Sequence, residues 1–214
     1  MPKETSRTPR ARRVDARSNV ERIVAAGRAV LGSGEGSLDR IASEAGVGIA
    51  TLYRHFPNRE AIVRAVLDDI LGTDLLPLVE AATDSAHPRQ SLQDVATRLL
   101  ELITDERGLV TFASNFADVA VDALQQFSDS LAPLLARAQE AGEVRDDLTA
   151  ADIPHFLVMG IAGLALPGTT ASMRARFIAL LFDSLHPAQA TPLPPLRDNE
   201  QQDLGRAVSR VITG

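Results

Sequence analysis

The densest run of side chains capable of recognition chemistry lies between Ser37 and Arg59, in the stretch SLDRIASEAGVGIATLYRHFPNR. It holds hydroxyls, an imidazole, a phenol and guanidinium groups, but no arrangement of nucleophile, base and orienting group. Its spacing describes a surface instead. Leu52 and Phe56 stand one helical turn apart and point inward with Val47, which leaves Ala50, Thr51, Arg54 and His55 outward. A small, polar, basic face of this kind suits the DNA major groove. Arg54 has the reach for a two-pronged contact to guanine O6 and N7, and Ile49 and Ala50 are the size to pack on a thymine methyl. Other groupings are poorer. Asp152 and His155 have the i, i+3 spacing of two metal ligands, but nothing supplies a third. His55, His87, His155 and His186 fall in separate elements. Asp118 and Asp122 read as a solvated face. The run Gly32-Ser33-Gly34-Glu35-Gly36 is followed by no Gly-Lys-Ser/Thr and preceded by no strand, so it reads as a turn and not as a phosphate loop. With no nucleophile elbow, zinc-binding helix or cofactor loop, neither catalytic residues, nor a metal, nor a cofactor is expected, and the chain does not read as an enzyme.

Two short helices must carry this surface. Leu38, Ile41, Ala42 and Ala45 recur at i, i+3, i+4, i+7 and predict a first helix, with Ser37 as N-cap and Asp39 in its first turn. Gly46 follows the last apolar position, where helices end in the left-handed region. A second helix then runs from Ile49 to Phe56, and Pro57 stops it. Helix, glycine turn, helix is a helix-turn-helix. A preceding helix over about Asp15 to Leu31 carries the stripe Val20, Ile23, Val24, Gly27, Val30 and Leu31. It has a capping-box pattern at Ser18-Asn19-Val20-Glu21. A following helix starts near Asn58, with Arg59 and Glu60 in its first turn and Ala61, Ile62, Ala65, Val66, Ile70 and Leu71 along it. Its positive dipole end, with Arg59, suits a phosphate. Gly72 and Pro77 mark a bend and the expected boundary of a DNA-binding domain at 15–72.

Composition is consistent with an all-α chain of 214 residues: 45% of it is hydrophobic, and β-branched alternation is scarce. The absence of cysteine fits a reducing compartment. No long apolar run and no signal-peptide core occur, so a cytoplasmic protein without a membrane span is expected. The net charge of −6 looks wrong for a DNA partner, but it is unevenly spread. Residues 1–67 hold 12 basic and 7 acidic residues, whereas residues 68–214 hold 10 and 21. Local potential governs phosphate contact. Residues 1–14 read as a disordered basic arm, and Arg10, Arg12 and Arg13 are suited to phosphates or the minor groove. A solvated tail is the alternative.

The run Ile41-Ala42, Ala45-Gly46-Val47, Thr51-Leu52-Tyr53, His55-Phe56 and Arg59-Glu60 resembles the DNA-binding signature of TetR-type transcriptional regulators over about residues 16–70. The chain departs from the family pattern at Gly48-Ile49-Ala50, and has Arg59 where Lys is common. The resemblance implies an all-helical homodimer with a three-helix head, a linking fourth helix and a larger helical domain that dimerises and binds a small effector. It also implies that Thr51, Tyr53, His55 and Arg59 meet phosphates or the groove wall. With Ser37, Gly48, Ile49, Ala50 and Arg54 they form the candidate DNA-contact set. The expected partner is a double-stranded, near-palindromic operator, and repression is the expected sign of control. A helix-turn-helix protein acting through protein partners without an effector is the alternative.

The second half, 73–186, reads as helices over 88–106, 109–141, 150–166 and 170–185. Around Leu135-Ala136-Arg137-Ala138-Gln139-Glu140-Ala141-Gly142 it resembles the effector domain of actinobacterial members of that family. Pro133 implies a kink or a boundary within its run. Thr149 is placed to cap the helix that follows it. Phe112, Phe116, Phe127, Phe156 and Met159 are candidate lining of an effector pocket, with ordinary core as the bland alternative. Asn115 lies on the same stripe and needs a polar partner, be it ligand, backbone or water. The helices 150–166 and 170–185 are more apolar than a monomer surface tolerates. Gly160, Ala162, Gly163, Ala165 and Ala179 let such helices approach closely, so these two are the expected homodimer surface. Residues 187–214 read as a Pro-rich linker and a last helix at about 199–212.

Overall fold

The computed structural model describes residues 9–106, 108–109, 113, 116–164, 168–188 and 190–194. Every regular element among these residues is helical, in line with the all-α expectation. The order is α1 (Pro9–Gly32), α2 (Leu38–Glu44), α3 (Ile49–His55) and α4 (Arg59–Ile70). A π-helical stretch (Leu71–Leu75) leads on to α5 (Leu76–Ala82), then α6 (Pro88–Asp105) and α7 (Ala117–Glu140). A 3₁₀ turn (Ala150–Asp152) precedes α8 (Ile153–Leu164), and α9 (Ala171–Asp183) closes the series.

Helix α1 packs on α2 and α4 to make the head. Ile23, Val30 and Leu31 of α1, Ile41 and Ala42 of α2, Leu52 of α3, and Ile62, Val63 and Val66 of α4 are all buried. The start of α1 differs from expectation. It begins at Pro9, so residues 9–14 of the expected arm are helical, and the Ser18 capping pattern lies inside the helix. The physical reason is propensity: proline suits the first helical position, and arginine and alanine favour helix without needing an apolar stripe. Residues 1–8 lie outside the described residues, as does the expected helix 199–212.

Gly72 is not a break. Helix α4 passes through the π-helical stretch into α5, with Pro77 in the first turn of α5. Proline has no N–H to give to the carbonyl four residues earlier, and a wider π turn re-phases the ladder there. The Thr73 hydroxyl also bonds back to the Asp69 carbonyl at 2.7 Å. Likewise Pro133 does not divide α7, which runs through it as one helix. The boundary alternative at Pro133 therefore falls.

The body is built from α5 to α9. Val95, Leu100 and Leu102 of α6 meet Phe127, Leu131 and Leu135 of α7, Ile153 and Leu157 of α8, and Ile178 and Phe182 of α9 in a core continuous with that of the head. Thr149 caps the 3₁₀ turn and not α8 directly. Its backbone N–H and hydroxyl both donate to the Asp152 carboxylate at 2.8 Å. Asp152 is thereby committed to a cap, and no metal-holding cluster occurs among the described residues. No described helix is long and apolar enough to cross a membrane.

Candidate nucleic-acid interface

The turn between α2 and α3 sets the geometry of the recognition surface. Gly46 has φ +63°, the left-handed region where a Cβ is disfavoured. Its N–H donates to the Ser43 carbonyl at 3.1 Å, and that of Val47 donates to the Ala42 carbonyl at 2.9 Å. These two bonds are a Schellman motif, which satisfies the last carbonyls of α2 and reverses the chain in three residues. At the other end of α2 the Ser37 hydroxyl accepts from the Arg40 N–H at 3.4 Å. Gly48 is the N-cap of α3 and offers no side-chain bond. The next helix is capped by Asn58, whose carbonyl accepts from the Ala61 N–H at 2.8 Å.

Leu52 is fully buried and Phe56 nearly so, so the opposite side of α3 faces outward. Ile49 is 38% and Tyr53 50% exposed. Gly48, Ala50 and Arg54 are exposed, and Thr51 and His55 are half-buried at the flanks. Ser37 and Arg59, both exposed, stand at the starts of α2 and α4. The nine candidate contact residues thus border one helix and its two neighbours. Arg22 of α1, which sequence reasoning did not single out, also belongs here. Its Nη1 lies 3.6 Å from where a Cβ would stand on Gly46, and its Nη2 donates to Asn19 Oδ1 at 2.5 Å. Its only signal in the sequence is its charge, since the proximity joins two elements. Arg40 is already paired with Glu35.

The four described candidate ligand residues, Phe116, Phe127, Phe156 and Met159, do not converge in the same way. Phe112 and Asn115 lie outside the described residues. Phe116 is half-buried, and Phe127, at 2% exposure, belongs to the core. Phe156 packs edge-to-face on Phe182, with ring centroids 5.9 Å apart, and lines an apolar cavity of about 20 Å³ with Leu99, Gly160, Ile178 and Leu181. That is room for one water-sized group, against the ~300–1,000 Å³ of a typical ligand site. Met159 is corrected as a lining residue: it is 60% exposed on the outside of α8. On α9, Met173, Phe177 and Leu180 are likewise 45%, 42% and 54% exposed and recur at i, i+4, i+7. Large apolar side chains are thus exposed on both helices expected to dimerise.

A helical body under a three-helix head with an exposed reading helix defines a helix-turn-helix regulator, and comparison with known proteins agrees. Residues 23–66 match the profile of bacterial regulatory proteins of the tetR family. Residues 106–187 match the C-terminal domain of SbtR-like transcriptional regulators. A TetR transcriptional regulator from Streptomyces coelicolor is 29% identical, with TM-score 0.59, over 78% of this chain and 98% of that one. One from Mycobacterium vanbaalenii is 28% identical, with TM-score 0.58, over 81% and 98%. FadR from Bacillus subtilis, solved in complex with stearoyl-CoA, shares the fold at 17% identity and TM-score 0.63, over 78% and 99%. No curated protein matches significantly. The chain belongs to the TetR family. It is a DNA-binding transcriptional regulator and not an enzyme.

Proposed function

We propose that the protein is a ligand-responsive repressor that binds a near-palindromic operator as a homodimer. The observation that carries this reading is the outward face of α3, where Ile49, Ala50, Tyr53 and Arg54 stand free beside a glycine turn. In this reading Arg54 reads a guanine, and Ile49 and Ala50 pack on thymine methyls. Thr51, Tyr53, His55 and Arg59, with Ser37 and the backbone at Gly48, hold the phosphates; Arg22 adds a charge beside them. The domains are an operator-binding head over 15–72, extended by the helical start of α1, and an effector-binding and dimerisation body over 73–186.

Dimerisation is supported by Met159, Met173, Phe177 and Leu180, large apolar side chains that a monomer would leave in water. A two-fold pair joined there presents two heads to half-sites about one DNA turn apart, ~34–36 Å. The effector site lies in the body, where Phe116 and Phe156 with Phe112 and Asn115 are its candidate lining. An effector acts only through a difference in affinity between operator-fitting and misfitting states. The test is a mobility shift with duplexes tiled across the DNA flanking the protein's own gene. A discrete shift on one duplex, resistant to unrelated competitor DNA, is expected. Uniform weak binding to every duplex would overturn the repressor reading.

A further inference from the structure

Beyond the recognition helix, we infer that Arg28 is a positioning residue for operator binding: it ties α1 of the head both to the α4–α5 connection, at Asp74, and to the end of α6 in the body, at Glu106. The inference rests on the dimeric operator reading above. Arg28 projects from α1 and serves two carboxylates on two other elements. Its Nη1 donates to Asp74 Oδ2 at 2.8 Å, and its Nε donates to Glu106 Oε1 at 2.8 Å. Asp74 lies in the π-helical stretch, and Glu106 is the C-cap of α6. Asp74 also accepts from Arg98 Nη2 of α6 at 3.3 Å and from the Thr73 hydroxyl at 3.3 Å, while Arg98 Nη1 reaches Glu101 at 3.3 Å. The side chains of Arg28, Asp74 and Glu106 are 27%, 20% and 20% exposed, so these pairs are far less solvated than a surface ion pair.

The backbone around the lock is equally close. A Cβ on Gly108 would stand 2.2 Å from the Gly32 carbonyl oxygen and 2.4 Å from the Gly34 nitrogen. The backbone at Gly108 therefore lies directly on the end of α1. Leu31, Leu75 and Leu109, from the same three elements or next to them in sequence, are each 1% exposed in the shared core.

The functional consequence is geometric. A head held through α4 alone, by its run into α5 and its packing on α7, keeps a pivot about the α4 axis. A second attachment through α1 removes it. Directional, two-pronged guanidinium bonds define an angle in a way that apolar contact does not. A dimer that must present two reading helices at one separation needs that angle fixed.

The chain has no cysteine, so a single Glu44→Cys on the exposed end of α2 allows a spin label on each head of the full-length dimer. Head-to-head distances by pulsed electron resonance and operator affinity are then read for three backgrounds, after sedimentation has checked that each is dimeric. The parent should give one narrow distance. Arg28→Gln should broaden it and weaken operator binding by about tenfold or more, with secondary structure intact. Glu106→Gln, which keeps the shape and one acceptor, should do the same more mildly and guards against a misfolded first variant. Arg28→Lys should restore only part of the affinity, because an ammonium does not hold both carboxylates in one plane. If either Gln variant lost thermal stability but kept the parent's distance width and affinity, Arg28 would be merely structural and the inference wrong. Failure of the parent itself to bind any operator would instead refute the proposed function.

Discussion

Arg54 and Arg59 carry the same charge five residues apart, yet the proposed function gives them different duties from their places on α3 and α4. Arg54 is on the outward face of the reading helix, and Arg59 is at the start of the next. Arg54→Ala should therefore cost about 1–3 kcal/mol at one base position and relax specificity there. Arg59→Ala should weaken all sequences alike and lower the salt slope by about one unit. Competition titrations against a panel of single-base variants at several salt concentrations separate the two. Asp74 makes a different prediction. Burial raises the proton affinity of its carboxyl, but the hydrogen bond and charge of Arg28, with help from Thr73 and Arg98, outweigh that and hold it below the ordinary range. Burial lowers the proton affinity of Arg28, but its hydrogen bonds to Glu106 and Asp74, with the charges of both, outweigh that and raise its pKa. A folded carboxyl that releases its proton more readily than the unfolded one stabilises above the unfolded value of about 4, and loses that contribution as pH falls through the folded value. The melting temperatures of the wild type and Asp74→Asn should therefore differ near neutral pH and converge in acid. A constant gap across that range would remove the ionic account.

At the scale of elements, what can be read from the chain is what is local. The α2–turn–α3 unit is visible because its N-cap, apolar stripe and left-handed glycine lie within a few residues of the bonds they make. Gly46→Ala should cost about 1–2 kcal/mol and be measurable as a lower denaturation midpoint, since φ +63° puts a Cβ against its carbonyl. The early start of α1 is hidden because arginine-rich helix carries no apolar period to detect. The π-helical stretch depends on a proline two residues beyond its end and on packing against α6. The lock around Arg28 joins positions 46 and 78 apart in the chain, beyond any periodicity. The same holds for Arg22 beside Gly46. Of the candidate effector lining, apolar character was legible but not its destination: Phe127 went to the core and Met159 to the outer face of α8. Both are apolar residues on apolar helix faces, and only tertiary packing distinguishes inside from interface.

The whole molecule is a basic head on an acidic body, and in the proposed function its operator chemistry depends on pairing two copies. Phe177→Glu or Leu180→Glu would set like charges against each other across a two-fold face centred on α9, so either should yield monomers in light-scattering chromatography. The same variants should weaken operator binding by orders of magnitude while leaving the head folded, because one head retains only half of the contacts. The central claim, two heads fixed at one separation on a two-fold operator, is tested most directly by fluorescence anisotropy on the identified duplex and on the same duplex with five base pairs inserted at its centre. That insertion turns one half-site to the opposite side of the helix, about half of the ~10–10.5 base pairs in a turn. The account predicts tight binding to the first, and binding to the second no stronger than to an isolated half-site. Equal affinity for both duplexes would contradict it.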